Sequence, residues 1–114
     1  MPRDYRQYLE DIVEAADRID RYVAGMDWAA FDADEKTVDA VVRNLEIIGE
    51  AARKLPDHVK SRANQIEWPK IVALRNLLAH EYFAVNKRIV WDIVQNKVAP
   101  LRDACSRLVA GFNE

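Results

Sequence analysis

The sequence predicts a single all-α domain over residues 1–114, folded as an antiparallel bundle of four to five helices. Apolar residues recur at steps of three and four through most of the chain, which is the spacing of an amphipathic helix. Only three glycines and four prolines are present, too few for a β architecture rich in turns. Half of the residues are hydrophobic, which is enough for a core. A domain of this size buries a limited fraction of its surface, so a homodimer that covers an apolar face would add stability.

The first half of the bundle is predicted from two apolar stripes. The first helix ends at a break over residues 25–31, and residues 32–35 look like a capping box whose carboxylate accepts amides of the second helix. Gly49 interrupts the second helix at a cost of about 1 kcal/mol relative to alanine, which predicts close approach of another helix. Pro56 ends this helix or starts a short helical turn through Val59. The stripes consist of Tyr5, Leu9, Ile12, Ala16, Ile19, Val23 and Met26, and of Val38, Val41, Val42, Leu45, Ile48, Ala52 and Leu55.

The second half begins with a polar connection over residues 61–67. Pro69 is tolerated in the first turn of a third helix, which is expected to run to about Tyr82. Asn86 is expected to cap a fourth helix, and Pro100 to kink or divide it. The apolar face of the fourth helix consists of Ile89 or Val90, Ile93, Val94, Val98, Leu101, Leu108 and Val109.

Composition limits the classes of function. The formal net charge of -2 argues against a protein that grips nucleic acid mainly through bulk positive charge, although a local basic cleft remains possible. Cys105 is the only cysteine, so no intrachain disulfide can form. The first residues lack the apolar core of a signal peptide, and no apolar run approaches the roughly 20 residues that span a bilayer. We therefore expect a soluble cytoplasmic protein with no membrane association.

The most informative segment is residues 75–82, which place Arg75, His80 and Tyr82 at R-x4-H-x-Y spacing inside an apolar helical stretch. At about 100° per residue, Asn76 and His80 share one face of a helix, whereas Arg75 lies about 140° away from His80 and near the apolar stripe of Ile71. A single straight helix therefore does not focus arginine and histidine on one point. The arginine can swing toward the histidine, or a second copy of the helix in a two-fold dimer can supply the missing side chain.

These residue types suit phosphate chemistry. An arginine offers a planar fork of donors that matches phosphate oxygens, and a histidine can take or give a proton near neutrality. If the nucleophile is an RNA 2′-hydroxyl, no metal is required, and the products are a 2′,3′-cyclic phosphate and a 5′-hydroxyl. Two histidines and one cysteine far apart do not form a metal site, and no metal or cofactor is predicted. Lys87 and Arg88 form the one local basic pair that could face a phosphate backbone.

Simpler interpretations stand beside this one. His80 alone could be a hydrogen-bonded interface histidine, and Arg75 could form an ion pair with Glu46 or Glu50 of the second helix. Tyr82 alone could be a core or interface aromatic residue with its hydroxyl at the edge.

Three stretches, at residues 43–52, 67–83 and 90–94, resemble HepT-like toxins of the HEPN superfamily in their order and spacing. The resemblance implies a HEPN-type helical bundle that forms a homodimer, with the R-x4-H pairs lining a cleft at the interface. It implies a metal-independent endoribonuclease that serves as the toxin of a type VII-like toxin–antitoxin pair. Arg75 and His80 would then be catalytic and Asn76 supporting. Tyr82 would be adenylylated by an MntA-like nucleotidyltransferase antitoxin, which would block RNA by bulk and negative charge.

Two further interpretations remain open. One is a non-catalytic helical module that binds a nucleotide or serves as the partner of a minimal nucleotidyltransferase, which some HEPN relatives are. The other is a plain dimeric bundle with a buried polar cluster.

Overall fold

The computed structural model describes residues 4–79 and 86–111, and the side chains of residues 4–75 and 86–111. Within these ranges the chain forms helices and no strands, which confirms the all-α prediction. The elements are α1 (Tyr5–Val23), α2 (Trp28–Ala33), α3 (Glu35–Arg53), α4 (Asp57–Lys60), a 3-10 turn at Ser61–Ala63, α5 (Trp68–Ala79), α6 (Lys87–Asn96) and α7 (Val98–Ala110).

The predicted start of the second helix is confirmed at α3. Asp34 is the N-cap residue, and its carboxylate accepts from the backbone N–H of Thr37 at 3.0 Å and from the Thr37 hydroxyl at 2.8 Å. These two hydrogen bonds lower the pKa of Asp34, the backbone bond contributing most. The cap satisfies an amide that has no partner within the helix, which fixes where α3 begins.

The predicted break over residues 25–31 is wrong in its second half, because α2 begins at Trp28. Asp27 caps this helix by accepting from Ala30 N at 2.9 Å, and Phe31 is fully buried. A helix of six residues with one buried anchor gives no repeating apolar pattern, so its sequence resembles a loop. Gly25, with φ at 76°, does form a turn.

The fourth predicted helix is divided, as expected, but at Lys97 and not at Pro100. Asn86 caps α6 by accepting from the backbone N–H of Arg88 and of Ile89, each at 3.1 Å. Pro100 lies in the first turn of α7, where its missing N–H removes no helical hydrogen bond. The short turn predicted after Pro56 is α4.

The core lies where α1 packs on α3 and α7, and where α3 packs on α5. Lys54 Nζ lies 5.6 Å from the ring centroid of Tyr8, so the end of α3 is beside the start of α1. Arg102, near the start of α7, pairs with Asp17 and Asp20 in the second half of α1. Both α3 and α7 are therefore antiparallel to α1. The largest fully buried side chains are Phe31, Leu9, Ile12, Ile19, Leu45, Ile48, Val41, Val59, Val90 and Cys105.

Across residues 4–79 and 86–111, no helix combines the length and the apolar character needed to cross a membrane.

Candidate functional site

The site is built where α3 and α5 touch at Gly49. A Cβ added at Gly49 would lie 2.8 Å from Arg75 N, 3.1 Å from Arg75 Cβ and 3.2 Å from Ile71 O. Real Cβ atoms do not approach a backbone nitrogen so closely, and only glycine permits this separation of the two helices. The predicted close approach of another helix is confirmed, and the neighbouring helix is the one that carries Arg75.

The start of α5 is fixed by Trp68, whose side chain is 5% exposed. Its indole N–H donates to the carbonyl oxygens of Lys60 and Ala63, each at 3.1 Å. Ile71 and Leu74 are buried against the bundle, whereas Arg75 is exposed at the edge of this apolar stripe. Burial of one face of α5 thus sets the direction in which Arg75 leaves the helix.

Arg75 forms an ion pair with Glu50 of α3, with Nε 2.9 Å from Oε2. This confirms one of the simpler interpretations of the sequence, that Arg75 pairs with a carboxylate of the second helix. The side chain of Arg75 is 48% exposed and that of Glu50 is 33% exposed, so the pair lies at the surface of a cleft. The ion pair holds the guanidinium group beside the carboxylate at the edge of this cleft.

Glu50 is shared by three cations. Its other oxygen, Oε1, lies 2.8 Å from Arg53 Nη2 and 3.7 Å from Lys54 Nζ. The hydrogen bond from Arg53 is the main cause that lowers the pKa of Glu50, and the charges of Arg53, Arg75 and Lys54 add to it, against the opposing effect of desolvation. The same carboxylate raises the pKa of Arg53. Glu50 is therefore ionised at neutral pH and holds Arg75 as a charged partner.

A cleft of about 370 Å³ opens beside this pair. Three cationic side chains and three carboxylates line it, so its formal charge is balanced. Sequence reasoning missed the contribution of α1, which no local pattern indicates. The E-x-x-x-K spacing from Glu50 to Lys54 was a visible signal of an ion pair on one helix face. The lining residues are Tyr8 and Asp11 of α1, Arg43, Glu46, Ile47, Glu50, Ala51 and Lys54 of α3, and Arg75 of α5.

Of the remaining motif residues, the structure describes only the backbone of Asn76. Asn76 lies in α5, but its side chain is outside the described part of the chain, and so are His80 and Tyr82 entirely. Whether Arg75 and His80 meet therefore stays a prediction. Within residues 4–79 and 86–111, no three His, Cys, Asp or Glu side chains are grouped so as to hold a metal ion.

The helical bundle, with the arginine of the R-x4-H spacing beside a polar cleft, has the architecture expected of a HEPN-type protein. The model of the family "Ribonuclease HepT-like" matches residues 12–108, and the chain belongs to this family.

Curated relatives agree with this assignment. "Putative RNase MJ0127" of Methanocaldococcus jannaschii is 42% identical over 99 residues, which is 86% of this chain and 82% of the relative. "Probable ribonuclease HepT" of Thermococcus cleftensis is 36% identical over 108 residues, which is 95% of this chain and 98% of the relative. No solved structure matches the chain at a significant level.

Proposed function

We propose that the chain is a metal-independent endoribonuclease that acts as the toxin of a type VII-like toxin–antitoxin pair. Its family is that of the HepT-like ribonucleases, and its relatives carry ribonuclease names. The observation that supports the proposal best is the position of Arg75, half exposed at a polar cleft and held by Glu50 through Nε. An arginine oriented at the edge of a cleft is suited to binding a phosphate group.

In the proposed reaction, His80 removes the proton of an RNA 2′-hydroxyl, and the 2′-oxygen attacks the adjacent phosphorus. The bond from phosphorus to the 5′-oxygen breaks, and the leaving oxygen takes up a proton from water or from a second histidine. Arg75 stabilises the negative charge on the phosphoryl oxygens, and Asn76 orients His80 or holds a phosphate oxygen. The products are a 2′,3′-cyclic phosphate and a 5′-hydroxyl.

The charge balance of the cleft supports a selective enzyme. Because the three cations face three carboxylates, a phosphate that approaches Arg75 competes with Glu50 for the guanidinium group. Binding then depends on a few oriented contacts and not on a broad positive surface. This agrees with the net charge of -2, which gives little long-range attraction for RNA.

The active form in this proposal is a homodimer. If residues 75–80 form one straight helix, as the sequence predicts, Arg75 would lie about 140° around it from His80, and the two side chains would not meet within one chain. A two-fold axis that pairs two copies of α5 would bring the arginine of one protomer near the histidine of its partner. The cleft beside Arg75 would then lie at the dimer interface and accept the RNA.

Regulation in this proposal acts on Tyr82. A nucleotidyltransferase antitoxin of the MntA type transfers AMP from ATP to the tyrosine hydroxyl and releases pyrophosphate, which places a phosphate and a nucleoside two residues after His80. The added bulk and negative charge exclude RNA from the site. Mass spectrometry after coexpression with such a nucleotidyltransferase should show one added AMP per chain, and Tyr82→Phe should lose both the modification and the neutralisation while keeping activity.

The first experiment is cleavage of total cellular RNA by the purified protein in EDTA. We expect 2′,3′-cyclic phosphate ends from the wild type and no products from His80→Ala. His58→Ala is the matched control, because it removes the only other histidine, which is exposed and packs edge-on against Tyr5 with ring centroids 5.7 Å apart. Circular dichroism and sedimentation should show that both variants fold and associate like the wild type.

Equal cleavage by His80→Ala and the wild type would reject the mechanism. Absence of cleavage by the wild type, once mass spectrometry shows Tyr82 unmodified, would favour the non-catalytic partner of a nucleotidyltransferase.

A further inference from the structure

A second hollow lies on α6, away from the charges around Glu50. It has a volume of about 420 Å³ and is lined by Arg88, Ile89, Trp91, Asp92, Gln95 and Asn96, and we refer to it as the α6 hollow. Ile89 is half exposed there, at 50%. Pockets that bind small ligands have volumes of roughly 300–1,000 Å³ and combine flat apolar walls with a few polar groups.

Two planar side chains, those of Arg88 and Trp91, line the α6 hollow, and each packs against an aromatic ring of α2. The guanidinium carbon of Arg88 lies 4.4 Å from the ring centroid of Trp28 on α2. The ring of Trp91 lies 4.9 Å from that of Phe31, with the planes inclined at 37°. Because Phe31 is fully buried, Trp91 is backed by the core, and Trp28 restricts the rotation of Arg88.

Arg88 has no carboxylate partner within the described part of the protein. Its neighbour Lys87 pairs with Asp32, with Nζ 2.9 Å from Oδ1, but Arg88 forms no ion pair with any described residue. Trp68 has a structural role, because its indole N–H donates to two backbone carbonyl oxygens. Arg88, by contrast, is an exposed cation stacked on an aromatic ring beside an open hollow.

We infer that the α6 hollow is a subsite for an unpaired nucleobase of single-stranded RNA, stacked between Arg88 and Trp91. Proteins recognise single-stranded RNA by stacking unpaired bases on aromatic rings and guanidinium planes, in addition to contacts with the phosphate backbone. The inference rests on the proposed ribonuclease function, since it names the form of RNA that the enzyme holds. The eight residue steps from His80 to Arg88 span at most about 29 Å when fully extended. A short single strand of RNA could therefore reach both His80 and the subsite.

The polar end of the α6 hollow suggests which base fits best. Asp92 accepts a hydrogen bond from Asn96 Nδ2 at 2.8 Å, and its carboxylate can only accept further ones. Cytosine presents an amino group where uracil presents a carbonyl oxygen, and a carboxylate binds the first and repels the second. The α6 hollow should therefore prefer cytosine to uracil.

The test measures binding of fluorescent 2′-O-methyl oligocytidylate and oligouridylate, which lack the 2′-hydroxyl proton and cannot be cleaved. Loss of one stacking contact corresponds to roughly a 5- to 150-fold change in affinity. We expect Arg88→Lys, which keeps the charge but removes the plane, to weaken oligocytidylate binding by about fivefold or more. Asp92→Asn should abolish the preference for cytidylate, and Arg107→Ala, which removes an exposed cation of α7, should change neither.

Unchanged affinity in both Arg88→Lys and Arg88→Ala would overturn the inference, and the arginine would then only join α2 to α6. A change in sedimentation of Arg88→Lys with unchanged oligonucleotide affinity would overturn it as well, in favour of a protein contact. The cleavage assay of His80→Ala is independent of these measurements. If RNA is not cleaved but binding still depends on Arg88, the subsite stands and the proposed function fails.

Discussion

Arg75 and Glu50 are joined across the contact of α5 with α3, with Nε 2.9 Å from Oε2, and the contact itself depends on the glycine that precedes Glu50. The motif arginine is therefore positioned by two adjacent residues of another helix. Gly49 sets how close the backbone of α5 comes, and Glu50 pairs with the guanidinium group at this contact.

Gly49→Ala should destabilise the protein although alanine favours helices by about 1 kcal/mol. The added Cβ would lie 2.8 Å from a backbone nitrogen, which cannot move without displacing α5. Overpacking of this kind costs roughly 1–3 kcal/mol, so we expect a net loss in the free energy of unfolding measured in urea. Gly111→Ala is the control, because its Cβ would approach the flexible end of Arg62 to 3.2 Å and would lie at ordinary contact distances, 3.6 Å and 4.0 Å, from the carbonyl oxygens of Arg107 and Leu108. Equal stability of Gly49→Ala and the wild type would show that the helices can separate at little cost.

Glu50→Gln should lower kcat for RNA cleavage by about tenfold or more, because the ion pair that holds Arg75 in place is replaced by a contact with a neutral amide. The KM should stay the same or fall, since a carboxylate that competes with phosphate is removed. Glu46→Gln makes the same change in charge within the same cleft, where the carboxylate lies 3.7 Å from Arg43, and should leave kcat nearly unchanged. A parallel loss in the two variants would mean that charge, and not orientation of Arg75, is responsible.

Acid should destabilise the fold through carboxylates whose folded-state pKa is lowered. The pKa values of Glu50 and Glu67 are held below the ordinary 4.5, chiefly by hydrogen bonds from Arg53 and Lys70. The pKa of Asp34 is held below the ordinary 3.8 by hydrogen bonds from Thr37. Each contributes stability above its unfolded pKa and loses it as the pH falls through the folded pKa. The free energy of unfolding should therefore decrease as the pH is lowered below about 4.5.

A matched pair of variants isolates the part of the pH dependence that Glu50 contributes. Glu50→Gln should be less stable than the wild type at pH 7, and the difference should shrink as the pH is lowered. Glu10→Gln serves as control, since that exposed carboxylate pairs with Arg6 on α1, with 2.9 Å between Oε1 and Nε. A difference that stays constant from pH 7 to pH 3 would contradict the assignment.

The sequence was sufficient for the helical class, for the caps at Asp34 and Asn86, and for the ion pair of Arg75 with the second helix. It offered two carboxylates for that pair, one turn apart, and only the contact at Gly49 selects Glu50. Periodicity reports one face of one helix, so it cannot say which turn of a neighbouring helix lies opposite.

Two further features were beyond the sequence for a similar reason. α2 has a single buried residue, Phe31, and one buried position defines no period. The α1 wall of the cleft, with Tyr8 and Asp11, arises only when α1 packs on α3. Both depend on contacts between residues distant in the chain, which local patterns do not encode.

Trp68→Phe should lower the free energy of unfolding by roughly 1–3 kcal/mol. The substitution removes the indole donor from the carbonyl oxygens of Lys60 and Ala63, and of these Ala63 O keeps the bond from Ile66 N. Trp28→Phe is the control, because it keeps the ring under Arg88 and removes an indole N–H with no acceptor among the described residues. If urea unfolding gave the same loss for the two variants, ring size and not the hydrogen bonds would explain the effect.

Cys105 should be protected from thiol reagents in the folded protein. Its side chain is fully buried, and burial raises the pKa of its thiol to about 12, so little thiolate forms at pH 8. Alkylation followed by mass spectrometry should be slow in buffer and complete in denaturant. Rapid alkylation in buffer would show that α7 opens from the core on the timescale of labelling.

The sharing of one carboxylate by Arg53, Lys54 and Arg75 has a consequence for how variation accumulates here. When one cation is lost, Glu50 can redistribute its hydrogen bonds to the other two, so single substitutions understate the importance of each residue. Effects at the four positions should therefore not add, and double-mutant cycles should give coupling energies of about 0.5–3 kcal/mol. A substitution tolerated in one background would be harmful in another, so the order in which changes occur would decide which homologues keep the motif arginine in place.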